Sequence, residues 1–140
     1  METFEIDRAK SSLKILIAED DLISQKLTAT ILSKHGHKVT IVSNGRQALE
    51  AFDRELFDLI LMDVQMPEMD GLEATRLIRE KEKERGGRIP IIAMTAHVVA
   101  GDRSQCLEAG MDTYAYKPIN QSEFLNMIER LVRTADNNQV

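Results

Sequence analysis

Four short apolar runs in this chain each stop at a residue that can do chemistry. Ile15-Leu16-Ile17-Ala18 runs into Glu19-Asp20-Asp21, and Leu59-Ile60-Leu61-Met62 runs into Asp63. Ile91-Ile92-Ala93-Met94 runs into Thr95, and Tyr114-Ala115-Tyr116 runs into Lys117-Pro118. Each residue has an ordinary use by itself. Asp20 or Asp21 can cap a following helix. A lone Asp after an apolar run suits a turn, Thr95 a strand end, and Lys117 the solvated surface. None of these uses explains why all four ends carry such groups together.

Brought to one place, the set has a clear logic. Glu19, Asp20 and Asp63 repel one another when ionised and close. A hard divalent cation resolves the repulsion, and Mg2+ prefers oxygen ligands with several waters retained. Lys117 offers a mobile point charge to a phosphoryl oxygen or a free carboxylate. Thr95 offers a short hydroxyl donor. Together they suit transfer of a phosphoryl group to a carboxylate, where positioning and charge neutralisation do most of the work.

The elements that must position them follow from the pattern. The four runs, with Val39-Thr40-Ile41-Val42, read as strands buried on both faces, continuous rather than alternating. The stretches between them have helical spacing: Ile23, Leu27 and Ile31; Ala48, Leu49 and Phe52; Ala74, Leu77 and Ile78; Phe124, Ile128 and Leu131. Asn44 and Asn120, the latter with Glu123, are placed to cap helices. Gly36, Gly86-Gly87 and Gly110 are placed to stop them. Strand and helix alternate five times, which predicts a parallel, doubly wound open sheet with right-handed crossovers. In such a sheet the C-terminal strand ends share one edge, where ligands bind.

Bulk properties agree. The 140 residues fit one domain, with 43% apolar and 29% charged residues. A net charge of −5 and a pI near 5.2 argue against nucleic-acid or anionic-membrane partners. One cysteine, Cys106, permits no internal disulfide and is expected to pack inertly. No apolar run approaches the roughly 20 residues of a membrane helix, and Met1 to Ser12 lack a signal-peptide core. A cytoplasmic chain is expected, with residues 1–12 a tail or linker, 13–134 the domain and 135–140 a frayed tail. His35, His37 and His97 are expected to be structural or surface residues, and Met62, Met66 and Met69 to be packing.

Longer motifs around the strand ends are similar to those of a known family. Lys14 to Asp21 resembles the first strand and acidic pocket of response-regulator receiver domains. Leu61-Met-Asp-Val-Gln-Met-Pro-Glu-Met-Asp-Gly-Leu72 resembles their phosphoacceptor segment. Ile89 to Ala96 resembles the fourth strand, and Gly110 to Ile119 the fifth. The resemblance spans Leu13 to Arg133 and is strongest to receivers of hybrid sensor histidine kinases. It implies a flavodoxin-like five-stranded sheet in order 2-1-3-4-5 with five helices. It also implies roles. Asp63 is the phosphorylated aspartate. Glu19, Asp20, Asp63 and the main-chain carbonyl of Gln65 surround Mg2+ or Mn2+, with Asp20 a direct ligand. Lys117 contacts the phosphate, Thr95 is the switch hydroxyl, and Tyr114 the switch aromatic. The Lys117-Pro118 bond is cis. The implied partners are a histidine kinase domain or a histidine phosphotransfer protein, the phosphate coming from a phosphohistidine.

Some residues depart from the family's commonest pattern. Glu19 stands where Asp is usual, which suggests a metal held through water. Asp21 stands where hybrid-kinase receivers often carry Asn. Gln65 and His97, two residues after Asp63 and Thr95, sit where the family tunes phosphate lifetime. Self-catalysed phosphotransfer and dephosphorylation are implied, not turnover of small substrates. Three alternatives stay open: a free-standing single-domain regulator, a Mg2+-dependent aspartyl phosphatase and a pseudo-receiver. The phosphatase usually needs a second Asp where Gln65 stands, and the pseudo-receiver would lack part of this pocket.

Overall fold

A computed structural model describes residues 12–96 and 100–138. The strands are β1 (Lys14–Ala18), β2 (Lys38–Val42), β3 (Leu59–Asp63), β4 (Ile91–Thr95) and β5 (Thr113–Tyr116). They alternate with α1 (Leu22–Lys34), α2 (Gly45–Arg54), α3 (Gly71–Arg85), α4 (Ala100–Ala109) and α5 (Gln121–Asn138). All pairings are parallel, and the strand order is β2-β1-β3-β4-β5. Both the alternation and the implied order are therefore present. No helix among the described residues is long and apolar enough to cross a membrane.

Alternate residues of each strand face opposite ways, so the sheet divides the core in two. Leu16, Ala18, Ile60, Met62, Ile91 and Ala93 pack with Ala48 and Phe52 of α2, Ile78 of α3 and Cys106 of α4. Ile15, Ile17, Leu59, Leu61, Ile92 and Met94 pack with Leu32 of α1 and Phe124 and Ile128 of α5. Cys106 is buried, as expected, and Met66 and Met69 pack against the first cluster beside Met62. The central strands β3 and β4 are buried along their whole length. The apolar run of β2 is not: Ile41 is exposed, because β2 is an edge strand with one neighbour.

Helix ends follow local chemistry. Asn44 Oδ1 accepts from Gln47 N–H at 2.9 Å, and Asn120 Oδ1 from Glu123 N–H at 3.1 Å. Asp21 caps α1 through Ser24 N–H at 2.8 Å, and Asp70 caps α3 through Glu73 N–H at 2.9 Å. Gly36, Gly86, Gly87 and Gly110 have positive φ at or just after helix ends. His35 and His37 bond main chain: His35 Nδ1 lies 3.0 Å from the Ile31 carbonyl, and His37 Nδ1 accepts from Leu13 N–H at 3.0 Å.

Two expectations need correction. The apolar face assigned to α1 is wrong for two of its three residues. Ile31 is buried, but Ile23 and Leu27 are 78% and 45% exposed, and Gln25, Thr28 and Leu32 face inward. Apolar residues occur around much of α1, so spacing alone could not choose the inward face. The expected frayed tail from Ala135 is instead helical through Asn138, since no Gly or Pro interrupts α5. His97 and residues 1–11, 139 and 140 lie outside the described residues.

The sheet edge opposite the carboxylates is closed by a network the motifs did not reveal. Arg79 Nη1 donates to Glu82 Oε1 and to the Ile89 carbonyl, each at 2.8 Å. Its Nε donates to the Gly110 carbonyl at 2.9 Å, and its Nη2 to Asp112 Oδ2 at 3.0 Å. Both carboxylates also accept main-chain N–H groups, Glu82 from Ile89 at 2.6 Å and Asp112 from Ile91 at 2.8 Å. Arg79 therefore ties α3 to the starts of β4 and β5. Removing one member of a buried ionic network strands its partners. Arg79→Ala should lower unfolding free energy by roughly 3 kcal/mol, read from urea denaturation. An unchanged midpoint would show that the network contributes nothing.

Candidate functional site

The register of the sheet sets the site's geometry. Ala18 is level with Met62, so Glu19 and Asp63 leave adjacent strands at the same height. Asp63 is level with Met94, and Thr95 with Tyr116, so Thr95 and Lys117 follow one step further along. The ladder extends past the strands: Glu19 N–H donates to the Val42 carbonyl at 3.0 Å, and Lys117 N–H to the Thr95 carbonyl at 2.8 Å. All four predicted strand ends therefore meet at one edge.

Carboxylate oxygens of Glu19, Asp20 and Asp63 lie within 4.8 Å of one another. Glu19 and Asp63 are buried, whereas Asp20 is exposed. Lys117 Nζ bridges the buried pair, paired with Glu19 Oε1 and 3.2 Å from Asp63 Oδ2. Glu19 Oε2 accepts from Asp21 N–H at 3.1 Å, and Asp63 Oδ1 from Gln65 N–H at 3.3 Å. Gln25, buried on α1, donates its side-chain N–H to the Glu19 carbonyl. Thr95 is buried beside them at the end of β4. The Lys117–Pro118 peptide is cis, as expected.

Charge balance shapes the titration. Burial pushes the Asp63 carboxyl up to about 7, helped by the nearby Glu19 and opposed by Lys117. Burial alone would lower the Lys117 ammonium, but hydrogen bonds and charges from Glu19 and Asp63 outweigh it and leave it raised. Asp21 stands apart from this group. The Ser24 N–H at its carboxylate holds its pKa low, consistent with its capping role.

The donor set suits a hard cation. It is all oxygen, partly buried and partly open to water through Asp20. Both Glu19 oxygens already have partners in Lys117 and Asp21, so a water-mediated role fits Glu19 better than direct ligation.

Two features of the site have causes that the sequence did not reveal. Gly71 is needed because a Cβ there would lie 2.0 Å from the Asp63 carbonyl oxygen, so only glycine lets α3 start against the acidic strand. Tyr114 is half-buried and packs against the first core cluster. The Arg103 guanidinium covers its ring at 4.6 Å, and Arg103 Nε donates to the Tyr116 hydroxyl at 2.7 Å. The motif named Tyr114, but its clamp comes from another element.

Known proteins share this architecture. Residues 15–129 match the family described as the response regulator receiver domain. Hybrid signal transduction histidine kinase I of Dictyostelium discoideum is 51% identical over 112 residues, 76% of this chain and 6% of that protein. Sensor histidine kinase GacS of Pseudomonas protegens is 41% identical over 127 residues, 90% of this chain and 14% of that protein. The chain thus spans a small fraction of these relatives' length. The receiver domain of sensor histidine kinase PA1611 from Pseudomonas aeruginosa, with a magnesium ion in its active site cleft, is 40% identical with a TM-score of 0.79. That match covers 86% of this chain and 98% of the other. A chain from the Saccharomyces cerevisiae complex of the histidine phosphotransfer protein Ypd1 with the receiver domain of Ssk1 is 30% identical. Its TM-score is 0.81, over 86% of this chain and 89% of that one. By sequence and by fold alike, this chain belongs to the response regulator receiver domain family.

Proposed function

We propose that Asp63 accepts a phosphoryl group from a phosphohistidine on a partner, and that the adduct either switches the domain or passes to a further histidine. The observation that carries this reading is the convergence of Asp63, Lys117 and the Glu19-Asp20 pair at one sheet edge. An Asp63 carboxylate oxygen attacks phosphorus as the P–N bond breaks. The electron pair of that bond returns to the imidazole nitrogen, and an acyl phosphate remains. Lys117, already 3.2 Å from Asp63 Oδ2, turns from the carboxylates to a phosphoryl oxygen. Asp20, Asp63 and the Gln65 carbonyl would hold Mg2+, with Glu19 acting through water; Mn2+ fits the same oxygens. The ion, when bound, neutralises the charge that builds up on the transferring group.

The donor must reach this edge. Leu22, Ile23 and Leu27 of α1 are exposed beside it, starting one residue after the Asp21 cap. We read them as the surface covered by a phosphohistidine-bearing domain, either a kinase domain or a phosphotransfer protein. The parent in this reading is a hybrid sensor histidine kinase. Phosphorylation adds roughly −1.5 to −2 charge at Asp63. Thr95 then moves toward the new oxygens, Tyr114 turns inward, and the face formed by α4, β5 and α5 changes.

Acetyl phosphate with Mg2+ should add one phosphoryl group, seen as a base-labile intact-mass shift and absent in Asp63→Asn. Lack of any adduct, even from a phosphohistidine donor, would leave a binding-only domain. The same time course reads lifetime: we assign that control to Gln65 and His97, and an unchanged half-life in variants at both would remove the assignment. Thr95→Ala should still take up phosphate but show a much smaller change in amide chemical shifts across α4 and β5. A full response would exclude the hydroxyl switch.

Acidity supplies a further test. Burial pushes Asp63 up to about 7 from an ordinary 3.8, so below about pH 7 the folded chain without a cation favours the protonated acid. Stability from this group is present below about pH 4 and is lost as pH rises toward 7. A cation must displace that proton. Mg2+ should therefore bind about tenfold more weakly at pH 6 than at pH 8 by calorimetry. A flat profile would mean that Asp63 is ionised throughout that range.

A further inference from the structure

The loop from Val64 to Asp70 carries Gln65 between β3 and α3, and it is closed at its base by Gly71 N–H donating to the Val64 carbonyl at 3.0 Å. Its far side holds an unusual backbone. Glu68 has φ of 65°, the one non-glycine residue with positive φ among those described. Met69 N–H donates to the Pro67 carbonyl at 2.7 Å, so Glu68 sits at the centre of a tight three-residue turn of the rarer hand. Glutamate does not favour this region, so its surroundings must hold it there.

Those surroundings belong to α2, which gives no residue to the acidic edge. Asn44 is buried, and its amide works in two directions. Oδ1 caps α2 through Gln47 N–H, while Nδ2 donates to Glu68 Oε2 at 2.9 Å. Next to it, Gly45 N–H donates to the Met69 carbonyl at 2.9 Å. A Cβ on Gly45 would lie 2.5 Å from the Met69 carbonyl oxygen and 2.9 Å from that of Asp70, so the helix start is nested on the loop. A strained turn, a half-buried amide–carboxylate bond and a close backbone approach all meet at the same few residues.

We infer that Asn44 and Glu68 are positioning residues for the cation: their bond fixes the loop that carries Gln65, whose N–H donates to Asp63 Oδ1 and whose carbonyl the receiver reading assigns to the cation. This rests on the receiver reading above. The helix cap and the latch use different atoms of one side chain, so they can be separated. Asn44→Asp keeps the capping oxygen, since Asp and Asn cap about equally well. It also removes the donor and sets a carboxylate against Glu68. Glu68→Gln keeps an acceptor for Asn44. Combined with Asn44→Asp, it rebuilds the bond with its direction reversed, the glutamine amide donating to the new carboxylate.

The experiment measures Mg2+ affinity by titration calorimetry, the rate of acetyl phosphate uptake and thermal midpoint on the 140-residue chain. Asn44→Asp should bind Mg2+ about tenfold more weakly, in line with losses at residues that orient metal ligands. Its thermal midpoint should change little. Glu68→Gln alone should lose less than Asn44→Asp, and the double variant should recover most of the affinity and uptake rate that Asn44→Asp loses. Unchanged Mg2+ affinity in Asn44→Asp would overturn the inference. So would a loss that the double variant does not restore. Wild-type protein that binds no Mg2+ would sink the receiver reading itself, and the latch with it. Normal wild-type binding with an indifferent Asn44→Asp would sink the latch alone.

Discussion

Two buried carboxylates face each other across adjacent strands with one ammonium between them, and the rest of the chain is arranged to keep them there. Glu19 and Asp63 cannot separate, because β1 and β3 are locked in register and neighbouring strands lie about 4.8 Å apart. Lys117 balances one negative charge of the two, and the exposed Asp20 adds a third carboxylate at the rim. Burial of Asp63 raises its pKa, and the neighbouring Glu19 adds to the rise against the pull of Lys117. An all-oxygen site in this condition suits a divalent cation, whose charge would offset the excess of carboxylates.

The two edges of the sheet divide the labour. At the lower edge Arg79 faces Glu82 and Asp112, and each carboxylate also accepts a main-chain N–H. Charge and hydrogen bonding there are satisfied together, as a stable buried network requires. At the upper edge the same residue types are left out of balance. A fold that closed both edges equally well would be a sturdier molecule with no reason to bind a cation or a phosphoryl group. The strained Glu68 turn fits the same division: order is imposed on the loop beside the acidic edge from α2, through Asn44 and Gly45.

Much of this was legible in the sequence because its cause is local. A short apolar run ending in a charged residue marks a strand and its upper end, and Asn44 or Asn120 before a helix marks a cap. Parallel topology then brings the four ends together with no further information. What was not legible depends on partners far away along the chain. Arg79 meets Asp112 across 33 residues, and Asn44 meets Glu68 across 24. Each of these reads locally as an ordinary surface charge or cap. The inward face of α1 was missed for a related reason: Leu22, Ile23 and Leu27 are apolar yet exposed, so apolar character alone does not mark the side that meets the core. The exposure of Ile41, against the buried strand expected there, follows from an edge position that only the strand order supplies.

That misread face and the charged edge are parts of one surface. Asp21 ends the acidic segment and starts α1, so the same residue that shields Glu19 with its N–H fixes where Leu22 and Ile23 point. A partner that buries those two side chains is brought beside Asp63 by the geometry of a single helix cap. In the proposed reading, apolar contact on α1 would supply affinity that is indifferent to the phosphate, whereas the carboxylates and Lys117 would respond to its charge. Separating the two would let the domain meet the same partner before and after the proposed transfer, with the acidic edge alone deciding which state of Asp63 holds it longer.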